Sequence, residues 1–224
     1  MRKLSLPVLL VLVLNSCSNS ETEYYENVEN AFQALQESKP DRALKFANAA
    51  IKVGFSDHSA YMVRGRAFYE QDNLDAAKRD FATVINLDSS NTTALFYTGL
   101  ILYDQNFYDS SIYYLNQAIA SKGGENFYFE YSDKFLKYNY DENLTMGRLR
   151  YFRGLAFYFG GNINTALKDF AFSADEGYNT GRSYYYIGLI ALEKEELGLA
   201  CKYLRLAMDN GYEKAESQLP ANCR

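Results

Sequence analysis

Residues 61–84 read YMVRGRAFYEQDNLDAAKRDFATV, and the fold turns on this stretch. Tyr61, Gly65 and Phe68 recur at spacings of four and three, Gln71-Asp72-Asn73 interrupts them, and Ala77, Phe81 and Val84 resume the pattern. Apolar and small residues at that period share one face of a helix, whereas Asp and Asn favour turns, so the stretch predicts an antiparallel helical hairpin.

The hairpin returns along the chain. Gly65, Gly99, Gly154 and Gly188 are separated by 34, 55 and 34 residues, the middle interval being 34 plus 21. Ala77, Ser111, Ala166 and Ala200 each follow their glycine by 12 residues. Two small-residue series in one phase define repeats at 58–91, 92–125, 147–180 and 181–214, with an insert at 126–146. The breaks between paired helices are Gln105-Asn106, Gly160-Gly161-Asn162 and Lys194-Glu195-Glu196. A weaker fifth unit, 24–57, precedes them. Ala43, Ala47, Ala50 and Ile51 carry its second stripe, Ala31 takes the place of the glycine, and Pro40 falls in its turn, where proline is tolerated.

These small and aromatic positions resemble the tetratricopeptide repeat, over about two-thirds of the chain. The Trp near the start of that repeat and the Pro that closes it are missing, the prolines being Pro7, Pro40 and Pro220. The resemblance implies an all-α fold, a right-handed α-α superhelix of about five hairpins. Residues 173–178 and 207–212, each ending a helix on glycine, are also similar to SEL-type repeats, with 215–224 as a C-terminal cap. Tetratricopeptide proteins bind partner peptides or helices on the concave face of their first helices. Carried onto this chain, that groove comprises Met62, Arg66, Tyr69, Phe96, Leu100, Tyr103, Tyr151, Leu155, Tyr158, Tyr185 and Leu189. Tyr and Arg are favoured interface anchors. The alternative is that Tyr69, Tyr103 and Tyr158 pack on the neighbouring hairpin.

The N-terminus carries a different message. Arg2 and Lys3 precede the apolar run Leu4 to Leu14, which is too short to span a bilayer, so residues 1–16 read as a secretion signal. Leu14-Asn15-Ser16-Cys17 resembles the lipobox of bacterial lipoproteins, which implies diacylation at Cys17, a tether over 17–23, and the outer membrane as location, on its periplasmic or surface face. The other reading is an ordinary cleaved signal. Loss of residues 1–16 moves the formal charge from −5 to −7, with no basic stripe of the kind nucleic acid requires. Cys201 and Cys223 then form an even pair in an oxidising compartment: either one disulfide pinning the tail, or two buried or free thiols.

The insert is rich in aromatics. Phe127, Tyr131, Phe135 and Tyr138 fall near helical spacing, which predicts an extra or extended helix, either a binding element or an apolar plug. Chemistry has little support: the single histidine, His58, opens a repeat, and no Gly-rich phosphate loop, nucleophile elbow or CxxC pair occurs. The expectation is therefore no enzyme, no metal and no cofactor. What remains is a lipid-anchored envelope scaffold with protein partners, or else a surface lipoprotein capturing glycans or peptides on tyrosines such as Tyr103 and Tyr158.

Overall fold

The structure, a computed structural model, describes residues 6–54, 57–121, 127–131, 134–138 and 144–223. The chain forms two compact units, one of residues 1–89 with 126–140, the other of 90–125 with 141–224.

The first unit holds α1 (Leu6–Gln36), α2 (Pro40–Val53), α3 (Ser59–Glu70) and α4 (Leu74–Leu87). Each packs on its successor, and α1 also touches α3. Its interior is small on one side and aromatic on the other: Ala31, Ala43, Ala47 and Ala50 are fully buried, as is Phe81. Tyr24 clasps the start of α3, its hydroxyl accepting from the Ala60 amide and donating to Asp57 Oδ1 at 2.9 Å. Pro40 opens α2 at its first turn, where the missing N–H costs nothing. The second unit holds α5 (Thr92–Asp104), α6 (Tyr108–Ser121), α7 (Met146–Phe159), α8 (Ile163–Asp175), α9 (Thr180–Glu193) and α10 (Leu197–Asp209), then 3-10 segments at Glu213–Gln218 and Ala221–Cys223. Consecutive helices pack on one another throughout. The Cys201–Cys223 disulfide, with Cα atoms 5.5 Å apart, ties the terminal segment to α10.

One backbone position recurs in all five turns. Ser38, Asp72, Asn106, Gly161 and Glu195 take positive φ, and all sit at the same place in the 34-residue frame. The residue after it starts the second helix, and there the side chains of Asn73 and Asn162 accept from Ala76 N and Thr165 N as caps. The glycine series is a close-approach series. A Cβ added at Gly65 would lie 2.8 Å from the Phe81 ring, at Gly99 2.8 Å from Leu115, at Gly188 2.8 Å from Leu204, and at Gly154 3.1 Å from Phe170.

An ionic clamp accompanies two of these crossings. Arg64 on α3 makes a two-pronged contact with buried Asp80 on α4, at 2.7 and 2.8 Å, and donates to Asn48 on α2 at 2.8 Å. Arg153 on α7 repeats it with buried Asp169 on α8, at 2.7 and 2.8 Å, and Asn116 on α6 at 2.7 Å. Asn48 and Arg64 are 16 residues apart, whereas Asn116 and Arg153 are 37 apart, a difference equal to the 21-residue insert. The 21 extra residues therefore leave the contact between α6 and α7 as it is between α2 and α3.

That insert corrects the helical expectation. It forms β1 (Phe127–Tyr131) and β2 (Lys134–Tyr138), antiparallel, with Phe127 opposite Tyr138 and Tyr131 opposite Lys134. Phe127, Tyr128, Phe129 and Tyr131 in β1, and Phe135 and Tyr138 in β2, have strand propensity. At the other end, α1 runs through residues 17–23. Residues 1–5 of the expected signal, and the side chain of Cys17, lie outside what is described. Among the described residues no helix is long and apolar enough to cross a membrane.

Candidate functional site

The first helices of the hairpins, α3 in one unit and α5, α7 and α9 in the other, carry the eleven expected groove residues. On α3, Met62 is buried, while Arg66 and Tyr69 are half-buried. The Arg66 guanidinium lies 3.9 Å from Glu70 one turn on. Burial holds the Glu70 carboxyl above its usual range, against the opposing pull of Arg66.

In the second unit Phe96, Leu100, Tyr151 and Leu155 are buried, and Tyr103, Tyr158, Tyr185 and Leu189 are half-buried. Five of the eleven positions, Met62 included, thus belong to the core rather than to a bare surface. A first helix has neighbours on both sides, so its inward stripe is wide: Phe96 meets Phe152 edge-on at 5.6 Å, and Tyr151 meets Phe170 at 6.0 Å. The sequence pattern marks a residue's phase on the helix but not the width of the covered stripe.

The half-buried tyrosines of this unit belong to a connected chain of rings. Tyr103 contacts Phe159 at 6.0 Å, Phe159 contacts Tyr158 at 5.2 Å, and Tyr158 contacts Tyr186 at 5.4 Å. Tyr186 continues to Tyr185 at 5.5 Å, and Tyr185 to Tyr212 at 5.0 Å. The Tyr158 hydroxyl donates to Glu193 Oε1 at 2.5 Å. The Arg182 guanidinium lies 5.8 Å from the Tyr212 ring centre.

Burial pushes the phenols of Tyr103, Tyr151, Tyr158 and Tyr186 above their usual range, and for Tyr158 the bond to Glu193 adds to it. They therefore stay neutral hydroxyls, and the face offers apolar ring surface edged by hydrogen-bonding groups. Phe159, Tyr186 and Tyr212 extend this face beyond the expected residues. Their signal lay in the repeat itself, since Phe159 stands where the other three repeats carry Glu70, Asp104 and Glu193.

His58 is buried at the start of α3, with Nε2 3.9 Å from Asp88 Oδ2. Among the described residues no three His, Cys, Asp or Glu side chains come together as metal ligands.

The fold and this face define a helical-repeat protein of the tetratricopeptide type. The tetratricopeptide repeat family profile matches residues 33–77 and 62–126, and helical hairpins of the same kind follow beyond the match. The likeness to SEL-type repeats, at 173–178 and 207–212, lies outside those matched segments. No curated protein matches the sequence. Among solved structures, MamA of Desulfovibrio magneticus RS-1 is similar with a TM-score of 0.67 and 14% identity, over 86% of this chain and 96% of that one. The Pseudomonas aeruginosa pilF protein is similar with a TM-score of 0.66 and 17% identity, over 86% and 78%. YrrB, described as a TPR protein with an unusual peptide-binding site, has a TM-score of 0.63 and 18% identity, over 84% and 86%. A fold of this kind serves interaction between proteins.

Proposed function

We propose that the protein is a scaffold of the bacterial cell envelope, anchored through a lipid on Cys17, that holds a segment of another protein against the first helices of its second unit. The chain of six rings from Tyr103 to Tyr212 carries this reading. Tyrosines bury large rigid area at low entropic cost and keep a hydroxyl for the partner's backbone, which is what protein recognition asks of anchors. The Cys201–Cys223 bond fits a compartment outside the reducing cytosol, in agreement with the lipobox-like Leu14-Asn15-Ser16-Cys17. YrrB, with its peptide-binding site, supports the same use of the fold.

The test is affinity capture from crosslinked native membranes, comparing the wild-type chain with a Tyr103→Ala, Tyr158→Ala, Tyr185→Ala variant of unchanged helicity. A defined set of proteins lost only in the variant is the expected result. An identical set with both chains removes the aromatic face from the function. Incorporation of labelled fatty acid into the wild type but not into Cys17→Ser tests the anchor.

A further inference from the structure

A pocket of about 480 Å³ opens in the second unit between the α5–α6 turn and the end of α7. Its aromatic wall is Tyr108 and Phe159, whose rings stack at 6.1 Å with planes 23° apart, and Phe107 stands beside them. Phe107 is 59% exposed and Phe159 47%. Gly160 permits this wall, because a Cβ there would lie 3.3 Å from Tyr108 Cβ and 2.8 Å from the Ala156 carbonyl.

Both exposed phenylalanines depart from the repeat's own pattern. Position 159 is acidic in the other three repeats, as Glu70, Asp104 and Glu193. Position 107 is the residue that opens the second helix, taken by capping Asn73 and Asn162 in two others and by Glu196 in the last. Replacing a cap and a surface acid by phenylalanine forgoes stability and exposes apolar rings. Phe159 packs on Tyr103, Tyr108, Tyr158 and Tyr186, yet it stays 47% exposed and lines one pocket with the equally unusual Phe107, and a ligand accounts for that shared exposure.

The polar lining decides which ligand. Asn106, Asp109 and Ser110 are exposed at the rim, with Asn106 Oδ1 accepting from the Tyr108 hydroxyl at 2.7 Å. Among the described residues no Lys, Arg or His lines the pocket, and the Asp109 carboxylate opposes an anion, which disfavours phosphates and acidic peptides. A pyranose ring offers one face of C–H groups, which the electron-rich face of an aromatic ring attracts, and a girdle of hydroxyls that match amide, carboxylate and hydroxyl groups. A compact quaternary ammonium would also find rings and a carboxylate, but it needs aromatic faces around it, and here two rings form a single wall.

We infer that this pocket binds a neutral sugar of a glycan, the pyranose lying on the wall of Tyr108 and Phe159 with its hydroxyls on Asn106, Asp109 and Ser110. The inference does not depend on the scaffold reading: Phe159 belongs to both faces, but Phe107 lies outside the chain of rings, so Phe107→Asn tests the pocket without touching the tyrosines.

The experiment titrates the full chain with neutral oligosaccharides, namely cellobiose, maltotriose, chitobiose and N-acetyllactosamine, and with choline, by calorimetry and ligand-observed NMR. The variants Phe159→Glu and Phe107→Asn restore what the other repeats carry, so both should fold, Phe107→Asn with a melting temperature equal to or above wild type and Phe159→Glu with a lower one because it gives up its ring contacts. Saturable binding of at least one sugar, weakened tenfold or more in each variant, is the expected result. Absence of sugar binding at millimolar concentration, equal affinity in both variants, or binding of choline in place of sugar would each overturn it.

Discussion

At the residue scale, the two Arg–Asp–Asn clamps are the most consequential contacts that the spacing of small residues does not announce. Asp80 and Asp169 are 4% and 1% exposed, so each depends on its arginine for compensation. Asp169→Ala leaves the half-buried Arg153 without a counter-charge and should cost about 3 kcal/mol, read as a lower urea midpoint. Asp80→Ala should cost a similar amount. The glycines separate differently. Gly99→Ala drives a methyl to 2.8 Å from Leu115, whereas at Gly154 the nearest atom of Phe170 is 3.1 Å away. Overpacking of about 1–3 kcal/mol at Gly99 should outweigh the roughly 1 kcal/mol that alanine gains in a helix, and the balance at Gly154 should be milder. Thermal melts of the two single variants, compared side by side, check the order.

At the element scale, the helices were legible because a 34-residue period repeats two small positions and a turn, and the turn keeps its positive-φ residue from Ser38 to Glu195. Hairpin register in the core followed from that alone. The insert was misread because helical and strand patterns coincide when nearly every residue is aromatic or charged: Phe127 and Tyr131 share a face in either structure. The candidate site was legible in part. Its tyrosines could be placed on the first helices, but which of them lay open depended on neighbours that no single repeat contains. The clamp geometry yields a prediction here, because Arg153 reaches Asn116 as Arg64 reaches Asn48. Joining residue 122 directly to 144 removes 21 residues while keeping the Thr145 cap of α7, and should therefore leave α6–α7 packing intact, with hydrogen exchange in α7 unchanged. Loss of exchange protection there would mean that the insert supports the junction. The tail is a separate element, held by a bond closing a loop of 22 residues. Cys223→Ser should destabilise this end by about 3 kcal/mol, seen as early proteolysis beyond Asp209.

At the scale of the whole molecule, the 21 tyrosines set the response to alkali. Burial raises the phenol of Tyr25 to about 12 and those of Tyr103, Tyr151 and Tyr158 further. A phenol whose value is raised on folding contributes stability that is complete below pH 10, its unfolded value, and is lost as pH climbs towards the folded value. The melting temperature should hold steady to pH 9 and fall steeply beyond 10. Ultraviolet titration should show a late group of phenols that ionise only as the chain unfolds. The cysteines give the molecule one further property. On the proposed anchoring, a chain with Cys201 and Cys223 bonded and Cys17 acylated would offer nothing to a thiol-alkylating reagent. On the same proposal, a chain exported but never acylated would offer one target, and a chain still in the cytosol three. The mass added by a maleimide to denatured protein thus records how far each copy has travelled along its maturation, a mileage count written in sulfur.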